Sequence, residues 1–157
     1  MNPFDPMKYL HIGIDPKERT MVAITPDEDP IFLPPVGCFY HGDFGAAIYE
    51  ALRPLSHRFQ DKLWSYSMPA VPKGKWPRLY KYGSKWMEAL TAIRIFDAPN
   101  RPHGTGLTPI YYWKRKTLRR VPCAYPEDKV TPSALTALCL AEAGRFFTRM
   151  PDDIIFT

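Results

Sequence analysis

Leu10, Ile12 and Ile14 alternate with His11, Gly13 and Asp15, the period-two pattern of a strand that ends on an acid. "TMVAI" (20–24) follows at hairpin distance. "ITPDEDP" is turn chemistry, and "IFL" (31–33) makes a short third strand. Over 42–59 the spacing changes: Ile48, Leu52, Leu55 and Phe59 fall on one face of a helix, with Pro54 inside the pattern to kink or divide it. "KLWSYSM" (62–68) reads as a fourth strand. Leu79, Tyr82, Trp86, Leu90 and Ile93 predict a helix over 78–96. "PIYYWKRKTLRRVP" (109–122) reads as a fifth strand running into cations. Thr131 and Pro132 open a last helix over 131–147 as cap and first residue. Three strands, then helix, strand, helix, strand, helix, predict an α/β domain with a mixed sheet.

Composition narrows the class. The 157 residues are 45% hydrophobic and 14% aromatic, enough for one domain with a core. We therefore expect a single domain over 1–157, its core spanning about residues 9–147. The 18 prolines predict many turns. Cys38, Cys123 and Cys139 form no CxxC pair, and His11, His41, His57 and His103 show no ligand spacing. Scattered thiols, no signal-like start in "MNPFDPMKYL" and no apolar run near 18 residues predict a cytoplasmic protein without a membrane partner. The net charge of +5 fits a polyanionic partner and equally an ordinary solvated surface. The GTG at 104–106 lacks a strand-to-helix frame for phosphate binding.

"IGIDPKERTMVAI", "RLYKYGSKWMEAL", "PIYYWKRKTLRR" and "SALTALCLAEA" together resemble the RuvC family of Holliday-junction resolvases over roughly residues 9–147. The resemblance implies a ribonuclease-H-like mixed five-stranded sheet with flanking helices. It also implies a homodimer and a branched or junction-like DNA partner, cut with divalent metal ions held by four acids. Two ions roughly 3.5–4 Å apart activate a water and stabilise the leaving oxygen, and each needs carboxylate oxygen.

Carried onto this chain, the first acid is Asp15. The fourth-strand acid falls on Tyr66, beside Ser65 and Ser67, and the last-helix acids fall on Ser133 and Val130, none of them a carboxylate. Lys17 stands where the family has glycine. Asp128 and Glu127, just before the last helix, are candidate replacements, giving Asp15, Asp128 and Glu127 as a rearranged catalytic set. Glu142 lies on a stripe with Leu135, Cys139 and Phe146. It is roughly 13 Å along the helix from Ser133, too far for the same ion. A second alignment would use Asp152 and Asp153. Asp15 itself reads as a strand-end cap, an inherited acid, or the holder of one weakly bound Mg²⁺.

The basic residues survive where the acids do not. Lys73, Lys75, Arg78 and Lys81, with Lys114, Arg115, Lys116, Arg119 and Arg120, are candidates for one nucleic-acid-binding face. Trp76 and Trp113 among them are candidates for stacking on unpaired bases, or for the core. The expectation is a resolvase-like protein that binds structured DNA and has lost cleavage, with no cofactor or weak Mg²⁺. Two alternatives stand beside it: an active Mg²⁺-dependent junction endonuclease, and a phage or mobile-element protein that uses the fold to bind another protein.

Overall fold

The computed structural model describes residues 9–26, 28–33, 44–70, 86, 88–96, 110–119, 121 and 125–146. The strands are β1 (Tyr9–Asp15), β2 (Thr20–Ile24), β3 (Ile31–Leu33), β4 (Leu63–Pro69) and β5 (Ile110–Trp113). They form one sheet in the order β3-β2-β1-β4-β5. β1–β2 and β2–β3 are antiparallel, while β1–β4 and β4–β5 are parallel. The helices are α1 (Phe44–Arg58), α2 (88–96, with Trp86 also helical), the single turn α3 (Arg115–Leu118) and α4 (Pro132–Phe146).

β1 lies at the centre of the sheet, and apart from half-buried Tyr9 every residue in it is buried. Both faces are covered, which removes the polar-out side that an exposed sheet keeps. Leu10, Ile12 and Ile14 pack with Met21, Trp64, Tyr66 and Met68 against α1 and α2. Ile48, Leu52 and Leu55 of α1 and Phe59 just after it are buried as their spacing requires. Trp86 and Ile93 are buried too, and Leu79 and Tyr82 lie outside the described residues. Pro54 does not divide α1, which runs continuously through it.

On the other face α4 lies across β1 and β2. Val22 and Ile24 pack with Ala134, Ala137, Leu138 and Ala141, and Trp113 packs with Leu140 and Ala143. The crossing is close. A Cβ added at Gly13 would stand 2.0 Å from the Ala137 carbonyl oxygen and 2.6 Å from the Ala141 nitrogen, so only glycine admits the helix backbone there. Farther along, Gly144 rests over Ser67, His11 and Ser65. Beneath it His11 Nδ1 and Ser65 Oγ share a hydrogen bond of 2.7 Å, and Trp113 Nε1 donates to Ser67 Oγ at 2.9 Å.

Two expectations are corrected. The segment after Trp113 is not more strand: β5 stops there, and Arg115–Leu118 turns into α3, seated by Leu118 on the Trp113 cluster. Nor does the Leu135, Cys139, Glu142, Phe146 stripe of α4 bury as a unit: Glu142 is buried, while Leu135 and Cys139 are half-buried. Phe146 is 57% exposed, and the buried residues next to the sheet are mainly alanines and glycine, because small side chains let a helix approach a strand closely.

Candidate functional site

The chain runs outward from β1 to β2 and β3, then crosses back to β4 beside β1. The C-terminal ends of β1 and β4 therefore flank the point where strand order reverses, where open α/β sheets bind ligands. Asp15 ends β1 there, paired with Thr20. The Thr20 hydroxyl donates to the Ser133 carbonyl at 2.9 Å, which brings the start of α4 to the same edge. The parallel register sets Gly13 beside Ser67, so Pro69 is level with Asp15, and Pro69 pairs with Trp113.

Asp15 is 4% exposed. Its Oδ1 accepts the Lys17 backbone N–H at 3.1 Å, closing the turn in the manner of an Asx residue. Burial pushes its carboxyl above the ordinary range, while the Lys17 and Glu18 backbone N–H groups pull it down. No second acid joins it from β4: on this face the strand presents Ser65, bonded to His11, Ser67, bonded to Trp113, and then Pro69. Tyr66, matched from the sequence to the fourth-strand acid, belongs to the opposite face and packs in the α1–α2 core. The first turn of α4 carries no acid. Among the described residues no group of three His, Cys, Asp or Glu side chains gathers closely enough to hold a metal ion. A pair of ions needs more carboxylate than these side chains bring to Asp15, so the described site does not fit two-metal chemistry.

Asp128 is exposed in a 3-10 turn over Glu127–Lys129, immediately before α4; the Glu127 side chain lies outside the described residues. Glu142 is buried and ion-paired with Arg145 one turn along its own helix. Burial raises its carboxyl and the Arg145 charge opposes the rise. Asp152 and Asp153 lie outside the described residues.

Three described arginines away from the Asp15 edge are ion-paired. Arg53 pairs with Glu50, Arg58 with Glu28 and Arg145 with Glu142. Arg145 lies towards the end of α4 that points away from Asp15, and Arg58 ends α1 just before β4 begins. At the Asp15 edge, Lys114, Arg115, Lys116 and Arg119 on and around α3 form no ion pair within the described residues, and Arg115, Lys116 and Arg119 are exposed. Lys17 and Arg19 in the β1–β2 turn and Lys129 before α4 likewise form no ion pair among the described residues. Among the described residues the acids at this edge are Asp15, Glu18, Asp128 and Glu127.

The α3 cations singled out in the sequence lie at this edge, and Lys17, Arg19 and Lys129, not singled out there for binding, lie beside them. The signal for Lys17 was present, since it directly follows the Asp15-Pro16 pair. Lys73, Lys75, Arg78, Lys81, Arg120 and Trp76 lie outside the described residues. Of its two readings Trp113 takes the second: at 1% exposure, its indole bonded to Ser67, it is core and offers no face to a base.

Arg19 adopts φ 55°, the left-handed region that non-glycine side chains enter at a cost of roughly 1–2 kcal/mol. Its Nε is buried without a hydrogen-bond partner, a loss of about 1–3 kcal/mol.

No protein-family model matches the chain, and no curated protein matches it. Among solved structures the fold is similar to that of T. thermophilus RuvC in complex with Holliday junction substrate: TM-score 0.51, 13% sequence identity, 90% of this chain and 94% of that chain covered. The architecture is thus the ribonuclease-H-like mixed five-stranded sheet with flanking helices, and the likeness at this identity is one of fold.

Proposed function

We propose that this protein binds branched or otherwise structured DNA at the edge formed by Asp15, the β1–β2 turn and α3, and that it does not cut it. The observation that carries this reading is the set of cations at the Asp15 edge: Lys17, Arg19, Lys114, Arg115, Lys116, Arg119 and Lys129 form no ion pair among the described residues, whereas Arg53, Arg58 and Arg145, away from it, are each paired with a glutamate. Unpaired lysines and arginines gathered on one edge supply the counterion release that drives phosphate-backbone binding. The fold of a protein solved on a Holliday junction supports the same choice of ligand. The thin supply of carboxylate around Asp15 supports the loss of cleavage, because Asp15 gives an oxygen to its own turn and gains no carboxylate from β4 or the first turn of α4. Removing acids leaves phosphate contacts intact, so binding outlives catalysis.

The test is gel-shift and cleavage of a synthetic four-way junction against linear duplex, with and without Mn²⁺. Junction-selective binding without cutting is expected. Mn²⁺-dependent cutting abolished by Asp15→Ala would overturn the inactive reading in favour of a set built from Asp15, Asp128 and Glu127. Indifference to both DNAs at about 0.1 M salt, where surface attraction is already screened, would move the function to a protein partner.

A further inference from the structure

Arg19 sits where a glycine would cost less. Its φ of 55° favours a residue without Cβ, and its Nε has lost solvent without gaining an acceptor. Neither cost is offset by an ion pair or a side-chain hydrogen bond to any described residue, unlike Arg53, Arg58 and Arg145. The side chain is only half-buried, so its outer guanidinium donors remain open to solvent. The positive φ serves the four-residue β1–β2 loop, but the orphaned Nε serves no contact among the described residues, and such unrecovered costs cluster at ligand-binding positions. The place agrees: Arg19 directly precedes Thr20, which pairs with Asp15 and bonds the start of α4. Asp15, by accepting the Lys17 N–H, closes the turn that carries Arg19.

We infer that Arg19 is a phosphate-binding residue. Presented by the turn that Asp15 closes, its guanidinium meets a DNA phosphodiester beside the carboxylate, where a metal-dependent nuclease would place a cation. This rests on the DNA-binding reading above and assigns the contact at its centre. An arginine fork suits the two free oxygens of a phosphodiester, and a lysine reproduces its charge without its geometry.

The experiment is fluorescence anisotropy of a labelled four-way junction, titrated across a salt series with the wild-type chain, Arg19→Gln, Arg19→Lys, Arg19→Gly and the control Arg53→Gln, with a thermal melt of each. Arg19→Gln should weaken binding about tenfold near 0.1 M salt and lower the salt slope by about one. Arg19→Lys should keep the slope and recover part of the affinity. Arg19→Gly should lose binding like Arg19→Gln with a Tm no lower than wild type, since it relieves the backbone. Arg53→Gln should match wild type. Wild-type affinity and slope in Arg19→Gln would overturn the assignment, as would a fall in Tm in Arg19→Gly, which would make Arg19 a fold residue. If the wild-type chain binds neither junction nor duplex, the DNA-binding reading itself has failed, before any variant is compared.

Discussion

Asp15 is held by its own chain: the Lys17 N–H closes on it, and burial works against its charge. Its carboxyl titrates above the ordinary 3.8 in the folded state, so the folded protein holds the proton over a range where the unfolded chain has released it. Stability from this group is therefore fully present below 3.8 and is lost as pH rises through the raised value. Asp15→Asn, whose side-chain oxygen can still accept the Lys17 N–H, should flatten that part of the profile and be at least as stable as wild type at pH 7; urea unfolding across pH measures it. A less stable Asn variant at pH 7 would mean that the charge itself is needed. Gly13 is the contrary case, where no side chain fits. Gly13→Ala meets backbone on two sides, so α4 must shift, and we expect a loss of about 3 kcal/mol or more, above ordinary overpacking. The strand-end acid was legible because alternation alone delivers it. Arg19 was not, since a positive φ and a buried Nε arise only when the turn folds against its surroundings.

α1, α2 and the strands follow their hydrophobic spacing because large side chains fill the space between sheet and helices. α4 does not, and the reason is distance. Where α4 crosses Gly13 it presents Ala137 and Ala141 and, farther along, Gly144, with Leu138 and Leu140 buried to either side, while Leu135 is half-buried and Phe146 exposed. Period and composition report which residues avoid water, not how closely two backbones approach, so the helix was legible and its buried face was not. Gly144→Ala should cost about 1–2 kcal/mol, since its Cβ would stand 2.8 Å from the Ser67 hydroxyl already bonded to Trp113. Phe146→Ser, at an exposed position of the same helix, should stay within about 0.5 kcal/mol of wild type. Denaturant midpoints decide both, and equal costs would mean that the close approach of α4 contributes nothing. The basic turn α3 was misread for a related reason: its cations were plain in the sequence, but β5 ends where Trp113 enters the core and the chain must turn.

The whole molecule carries a net charge of +5, and two physical pictures of DNA attraction differ at this scale. If the overall field acts, cations anywhere on the surface contribute alike. If unpaired cations at the Asp15 edge touch phosphates, only those contribute, each giving about 0.9 to the slope of log K against log salt on duplex arms. Neutralising Lys114, Arg115, Lys116 and Arg119 together to Gln should then lower the slope by about 3–4. Neutralising Arg53 and Arg58 should leave it unchanged and lower stability by at most about 1 kcal/mol, because both of their ion pairs are exposed. Anisotropy titrations over a salt series, with thermal melts of the same samples, separate the pictures. A slope that falls equally for both sets of variants would assign the attraction to net charge and remove the reason for placing the interface at this edge. A fall confined to the α3 variants would tie binding to the end of the sheet where Asp15, Arg19 and the start of α4 meet.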